Sequence, residues 1–234
     1  MIQAILFDLD GTLLPMDQDL FVKAYLGGLA KYMAPYGYDP QKIIQALWEG
    51  TGTMVRNDGS QTNEALLWKI FCKYFGENAR DDERLFIQFY EHEFQNVRRV
   101  CGYDSRSADV IREIKEMGYR VILATNPLFP AMATHSRVRW AGLSVDDFEL
   151  ITTYENSGHC KPNPQYYLDI LQSQGLSPEE CVMVGNDVTE DMIAESLGMK
   201  VFLLTDNLIN KENKDISLYP NGSFPELMDF IRRL

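Results

Sequence analysis

Apolar residues follow two different rhythms along this chain, and the change of rhythm divides it. Ala4-Ile5-Leu6-Phe7 is an unbroken apolar run that ends on Asp8-Leu9-Asp10-Gly11. A short run closed by a turn predicts a strand buried on both faces, as in a parallel sheet. From about residue 17 to 97 the period becomes helical. Phe21, Ala24, Tyr25, Leu29 and Tyr32-Met33 make one apolar face, and Ile43, Ile44, Leu47 and Trp48 make a second. Leu66, Leu67, Ile70, Phe71 and Phe75 make a third, and Leu85, Phe86, Phe89, Tyr90 and Phe94 a fourth. Turn residues punctuate them at Asp39-Pro40, Asn57-Asp58-Gly59-Ser60 and Gly76-Glu77-Asn78. The expectation is a bundle of four helices.

From about residue 104 helices and strands alternate. Ser107 to Met117 reads as a helix stopped by Gly118, and Tyr119 to Ala124 as the strand after it. A helix near 130–141 leads to a short strand at Leu150-Ile151-Thr152. A helix at about 164–174, the strand Cys181-Val182-Met183-Val184, a helix at about 189–197 and the strand Lys200 to Leu204 come next. Asp206 to Gly222 reads as a polar loop, and a last helix runs from Pro225 toward Leu234. Strands separated by helices predict an α/β fold, a doubly wound, Rossmann-like parallel sheet. One βαβ crossover needs only about 30 residues, so the long interval after the first strand holds an inserted domain. The expected division is a core of residues 1–15 and 102–234 around an all-helical insert of residues 16–101.

Composition changes this picture little; charge changes it more. The chain has 234 residues, 45% of them hydrophobic, which suits an ordinary globular protein. No stretch reaches the roughly 20 apolar residues of a membrane helix. The start, Met1-Ile2-Gln3, lacks the basic segment of a signal peptide, so the expected compartment is the cytoplasm. The net charge of −12 disfavours nucleic acid, since no Lys/Arg run offsets it. It also opposes binding of phosphate, unless a divalent cation among the carboxylates becomes the largest local charge. Cys72, Cys101, Cys160 and Cys181 are dispersed, without Cys-x-x-Cys spacing, and read as idle thiols. His92, His135 and His159 have no ligand spacing either.

In an open parallel sheet, ligands bind outside the carboxyl ends of the strands. Here those ends carry Asp8-Leu9-Asp10-Gly11-Thr12, then Thr125-Asn126-Pro127, then Lys161-Pro162, then Gly185-Asn186-Asp187-Val188-Thr189-Glu190-Asp191. All four clusters fall on one rim. Asp8 and Asp10, two residues apart, can face one crevice as the chain leaves the strand. Gly11 permits a tight turn whose backbone N–H groups can hold an anion. One carboxylate can serve as nucleophile and its neighbour as general acid/base, with Mg2+ bridging carboxylate and phosphate oxygens. A calcium loop is the competing reading of Asp-x-Asp. It fails because Leu13 stands where the loop glycine belongs, and a strand rather than a helix precedes.

Phe7-Asp8-Leu9-Asp10-Gly11-Thr12-Leu13 resembles the first motif of the haloacid dehalogenase-like (HAD) superfamily. Thr125-Asn126, Lys161 and the acidic cluster at 187–191 come after it in that family's order, so the likeness spans the chain. It implies a helical cap in the insert and a place near the phosphatase and phosphoglycolate-phosphatase branch. By this resemblance Asp8 becomes a transient aspartyl-phosphate, and Asp10 protonates the leaving alcohol and later activates water. Thr125 and Asn126 bind phosphoryl oxygens, Lys161 balances charge between Asp8 and phosphate, and Mg2+ is the cofactor. The implied substrate is a small phosphorylated metabolite, handled by a monomer or homodimer.

The last motif departs from the family pattern. Its usual metal-binding Asp directly after glycine is Asn186 here, with Asp187 next. A charged carboxylate is the better Mg2+ ligand, which favours Asp187 over Asn186; Asp191 is expected to orient Lys161 or a metal-bound water. In the insert, Arg56, Asn57, Trp68, His92 and Arg98 are candidates to face substrate, although a solvated helix face or a core aromatic explains each one alone. Asp10 argues against a dehalogenase. No lysine of the insert is singled out for a phosphonate hydrolase. A phosphomutase, or a catalytically idle phosphate-binding or regulatory protein on the same scaffold, remains the alternative.

Overall fold

The computed structural model describes all 234 residues. Strand β1 (Ala4–Phe7) is the apolar run, and each of its four side chains is completely buried. Its neighbours on either side are β2 (Arg120–Leu123) and β4 (Cys181–Gly185), both parallel to it and paired in register from Ala4 to Phe7. With β3 (Leu150–Ile151), β5 (Lys200–Leu204) and β6 (Asn221–Gly222), the sheet has the order β3-β2-β1-β4-β5-β6, parallel throughout. The α/β expectation is met. Crossovers leave β1 in one direction toward β2 and return on the other side toward β4. The crevice at the carboxyl ends of β1 and β4 is therefore the switch point where such sheets bind ligands.

Local boundaries differ in instructive ways. The helix expected at about 189–197 is a 3-10 segment, Met192–Leu197. The Asp187 carboxylate accepts hydrogen bonds from the Thr189 and Glu190 N–H groups (2.7 and 2.9 Å), holding the preceding chain in a turn. The polar loop after Asp206 contributes the two residues of β6, because Leu203 and Leu204 still have an open edge to pair.

Between β1 and α5 (Arg106–Glu116) the chain forms α1 (Gln18–Met33), α2 (Pro40–Val55), α3 (Asn63–Phe75) and α4 (Glu83–Glu91). The side chains of Asp17, Asp39 and Thr62 cap the first three by accepting from backbone N–H groups. The two chain segments that join this helical unit to the sheet lie side by side. Met16 pairs with Cys101, and the Gly102 N–H donates to the Pro15 carbonyl at 2.7 Å.

Helical unit and sheet layer meet along an aromatic seam. The Phe129 ring packs edge-on against Phe21 and Tyr25 (centroids 5.9 and 5.1 Å apart), and Phe94 stacks on Trp140 of α6 (Ala131–Trp140) at 5.1 Å. Each such pair adds about 0.5–1.5 kcal/mol beyond the area it buries. A polar latch lies beside the seam. Asn63, wholly buried, accepts from Asn57 Nδ2 (2.8 Å) and donates to the Pro127 carbonyl (3.1 Å) and Cys160 Sγ (3.2 Å). Asn57 is occupied within the unit, donating also to the Gln61 carbonyl (2.9 Å), and it is Asn63 that reaches the loops after β2 and β3. Trp68 is buried among Phe71 and Phe86, while Arg56, His92 and Arg98 lie in solvent. No helix is long and apolar enough to cross a membrane, and all four cysteines are free.

Candidate active site

The chain leaves β1 through a turn that only glycine can make. Gly11 has φ +89°, and a Cβ there would collide with the Asn186 side-chain amide. This close approach seats Asn186, at the end of β4, against the first loop. Its Oδ1 accepts from the Thr12 hydroxyl (3.0 Å) and its Nδ2 donates to the Asn207 carbonyl (2.7 Å). Asp187 instead lies in the next turn of the chain. One of its oxygens takes the two backbone N–H bonds described above, and the other makes no hydrogen bond to protein.

Lys161 is the centre of the arrangement. It is 1% exposed, and its Nζ donates to Asp8 Oδ1 at 2.8 Å and to Asp191 Oδ1 at 2.6 Å. The Asp191 Oδ2 accepts in turn from the Asp187 N–H (2.9 Å), so one carboxylate ties lysine to the last loop. Burial alone would depress the Lys161 ammonium; the Asp191 and Asp8 carboxylates override it and hold its pKa well above the ordinary value. The lysine stays charged. Burial pushes Asp191 up to about 6 while the ammonium opposes the rise.

The turn after β2 is held from below. The Thr125 carbonyl accepts from the hydroxyls of Thr152 (2.6 Å) and Tyr166 (2.9 Å). Asn126 Nδ2 donates to Glu190 Oε2 at 3.0 Å, and its Oδ1, though buried, has no donor. Burial raises the Glu190 carboxyl to about 7, with Lys161 pulling the other way.

Asp10 has a partner that the sequence does not announce. Arg137 of α6, which is completely buried, donates from Nη1 to Asp10 Oδ2. Burial pushes the Asp10 carboxyl up to about 6; the guanidinium opposes that rise and the neighbouring Asp8 adds to it. A signal for Arg137 was present in the sequence. It stands four residues after Ala133 and three before Trp140, on the apolar stripe of its helix, where a charge needs a buried partner. Glu190 was marked only by its place in the acidic cluster at 187–191, and Thr152 and Tyr166 offered no comparable signal.

Five carboxylates (Asp8, Asp10, Asp187, Glu190 and Asp191) thus share this rim with two cations, and both cations are already paired. A phosphate entering such a field needs added positive charge. The donor set suits a hard cation: Asp10 Oδ1 is buried without a donor, and Asp187 keeps a free oxygen. No three acidic, imidazole or thiol groups converge tightly enough to hold a metal by themselves. Phosphate oxygens, backbone carbonyls and water would complete the shell, as Mg2+ commonly requires.

Comparison with known proteins adds to this geometry. A model of the haloacid dehalogenase-like hydrolases matches residues 2–198. The sequence is 24% identical over 200 residues to pyrophosphatase PpaX of Bacillus cereus (strain AH820), covering 85% of this chain and 81% of that relative. A HAD phosphatase from Thermococcus onnurineus superposes with a TM-score of 0.60 at 19% identity, over 98% of both chains. A 2-haloacid dehalogenase from Pseudomonas syringae pv. Tomato DC3000 gives 0.65 at 21% identity, over 100% of this chain and 99% of the other. At these identities the structural likeness speaks for the fold.

Proposed function

The chain belongs to the haloacid dehalogenase-like hydrolase family, and from that premise we propose that it is a Mg2+-dependent phosphatase acting on small phosphomonoesters through Asp8. The observation that carries this reading is the buried Lys161 ammonium bridging Asp8 and Asp191, with Asp10 two residues further on. Asp8 is the nucleophile. Its carboxylate oxygen forms a bond to phosphorus as the bond to the leaving alcohol breaks, giving an aspartyl-phosphate. Asp10 supplies the proton the alcohol takes, and recovers one from the water that hydrolyses the aspartyl-phosphate. The Thr125 hydroxyl and the backbone N–H of Asn126 hold phosphoryl oxygens. Asp8, Asp10 and Asp187, or Asn186 in place of Asp187, would hold Mg2+. When bound, the ion supplies charge compensation between phosphate and carboxylates. A metal titration separates the two candidates: Asp187→Ala is expected to raise the Mg2+ concentration for half-maximal activity at least about tenfold more than Asn186→Ala does. The opposite ranking would assign the ligand to Asn186.

The unit of residues 16–101 acts as a cap in this reading, and its contribution is substrate selection. Directly after Thr125-Asn126-Pro127, the residues Leu128, Phe129 and Pro130 join Tyr25, Leu26 and Trp48 of the helical unit around a cavity of about 90 Å3. That is room for roughly three water-sized groups, and no lining side chain is charged. An uncharged, small leaving group suits it; the second phosphate of pyrophosphate would lose its solvation there without gaining a cation. With saturating Mg2+, kcat/KM for a short alkyl or aryl phosphate is expected to exceed that for pyrophosphate by about 10²-fold or more, a gap of about 3 kcal/mol. Release of inorganic phosphate should match loss of ester one for one. Isomerised ester in place of free phosphate would mark a mutase.

A further inference from the structure

Asn63, the first residue of α3, is completely buried and uses every polar atom of its side chain. Its Oδ1 faces its own unit, accepting from Asn57. Asn57 is fixed in turn by donating to the Gln61 carbonyl and accepting from the Gly59 N–H (2.9 and 3.2 Å). The Asn63 Nδ2 group is thereby turned toward the sheet layer, where it meets acceptors on two different loops. One is the Pro127 carbonyl, directly after Thr125-Asn126; the other is Cys160 Sγ, directly before Lys161. The backbone reinforces the contact. The N–H groups of Asn63 and Glu64, which have no acceptor within α3, donate to the Ser157 and Tyr154 carbonyls at 2.9 Å each. Gly59 lies so close to the His159 ring that a Cβ at position 59 would strike it, and a Cβ at position 158 would come within 3.0 Å of the Gly59 Cα.

We infer that Asn63 is a positioning residue for the phosphoryl site. With the helical unit seated, its amide sets the spacing between the Thr125-Asn126 turn and the loop of Lys161, so that seating the unit and completing the phosphate site are one event. This rests on the roles given to Thr125, Asn126 and Lys161 above. The aromatic seam already fastens the unit to the sheet layer, but none of its residues belongs to the loop before Lys161. The Thr125 end of the phosphate turn is held by Thr152 and Tyr166 of the sheet layer, and the Pro127 end by Asn63 of the helical unit. Burial makes the event all-or-none. Lifting the unit part-way would strip the Asn63 amide and the Pro127 carbonyl of partners before water could replace them. A phosphoryl group that meets both the Asn126 N–H and the Lys161 ammonium tolerates little change in their separation, since a misplacement of about 1 Å can cost about 10²-fold in rate.

The test combines amide hydrogen exchange with kinetics on phenyl and methyl phosphate at saturating Mg2+ and inhibition by inorganic phosphate. The variants are Asn63→Ala, Cys160→Ala, Cys160→Ser and Asn63→Ala/Cys160→Ala. In Asn63→Ala, exchange at residues 124–130 and at 154–163 should accelerate about tenfold or more, while residues 181–185 stay slow. The value of kcat should fall about 10²-fold and Ki for phosphate should rise about tenfold. Both esters should lose equally, because the phosphoryl group is common to them. Cys160→Ser keeps an acceptor for the amide and should lose less than Cys160→Ala. Adding Cys160→Ala to Asn63→Ala should cost nothing further, since both break one contact. Cys160→Ala removes a single hydrogen bond and guards against a folding failure of Asn63→Ala. A lower melting temperature with kcat, KM and Ki unchanged would overturn the inference and leave Asn63 a fastener. So would acceleration confined to residues 57–64, or a loss on phenyl phosphate alone, which would assign Asn63 to leaving-group selection. A wild type that turns over neither ester would instead remove the phosphatase reading; exchange at the two loops then still decides whether Asn63 holds both, and unchanged exchange there would overturn the inference.

Discussion

Asp8→Asn is expected to cut phosphate-ester turnover by about 10⁴-fold or more while leaving the protein folded. Asparagine has the shape of aspartate, so β1 and its turn lose no packing, and its amide oxygen can still accept from Lys161 Nζ. The nucleophile disappears, together with one negative charge of the rim. Turnover of an aryl phosphate at saturating Mg2+, read beside the thermal transition of the same preparation, separates loss of chemistry from loss of structure. Near-normal turnover in Asp8→Asn would contradict the whole mechanism.

The second large effect concerns Lys161. Lys161→Met preserves most of the volume but removes the ammonium that Asp8 and Asp191 share at 2.8 and 2.6 Å. Activity should vanish. Stability should also fall, by about 3–5 kcal/mol near pH 8, the usual consequence of leaving buried carboxylates unpaired. For a chain of this length that lowers the melting temperature by roughly 10 °C. Asp191 sets the sign of the pH dependence. Burial already holds its carboxyl up to about 6 against the pull of Lys161, and without the lysine it rises further. A carboxyl whose folded pKa exceeds its unfolded value favours the folded state while protonated, and that contribution fades as pH rises through the folded pKa. The gap between wild type and Lys161→Met should thus be small near pH 5 and widen above pH 6. Melting curves at both pH values in the presence of a chelator measure it. A gap independent of pH would mean that Asp191 does not take up the proton.

Whatever is written in neighbouring residues could be read from the sequence. The unbroken run Ala4 to Phe7 demands burial on both faces, and Asp8-Leu9-Asp10-Gly11 states a turn and two carboxylates within a few residues. Helical periods in the insert and the alternation of strand and helix afterwards are equally local, because period comes from backbone geometry alone. Together they establish the α/β class and four loops on one rim. The helix expected at about 189–197 is a 3-10 segment from Met192 because Asp187 caps its own turn, which the spacing of apolar residues does not reveal.

Tertiary structure decided the pairings. Arg137 and Asp10 are separated by 127 residues, and Lys161 and Asp8 by 153. Arg137 on an apolar stripe implies that some buried anion exists, but which one depends on where α6 is set down against β1. Asn186 and Asp187 show the same limit: their order is plain in the sequence, whereas the seat of Asn186 against Thr12 exists only because Gly11 lets two loops touch. Asn63, an ordinary helix-start residue by sequence, latches the helical unit to the loops of Pro127 and Cys160. Periodicity settles which face of an element is buried. The electrostatic cost of a buried charge settles that it must have a partner. Only the packing of distant elements against one another selects that partner, and with it which oxygen of Asp10 is left free.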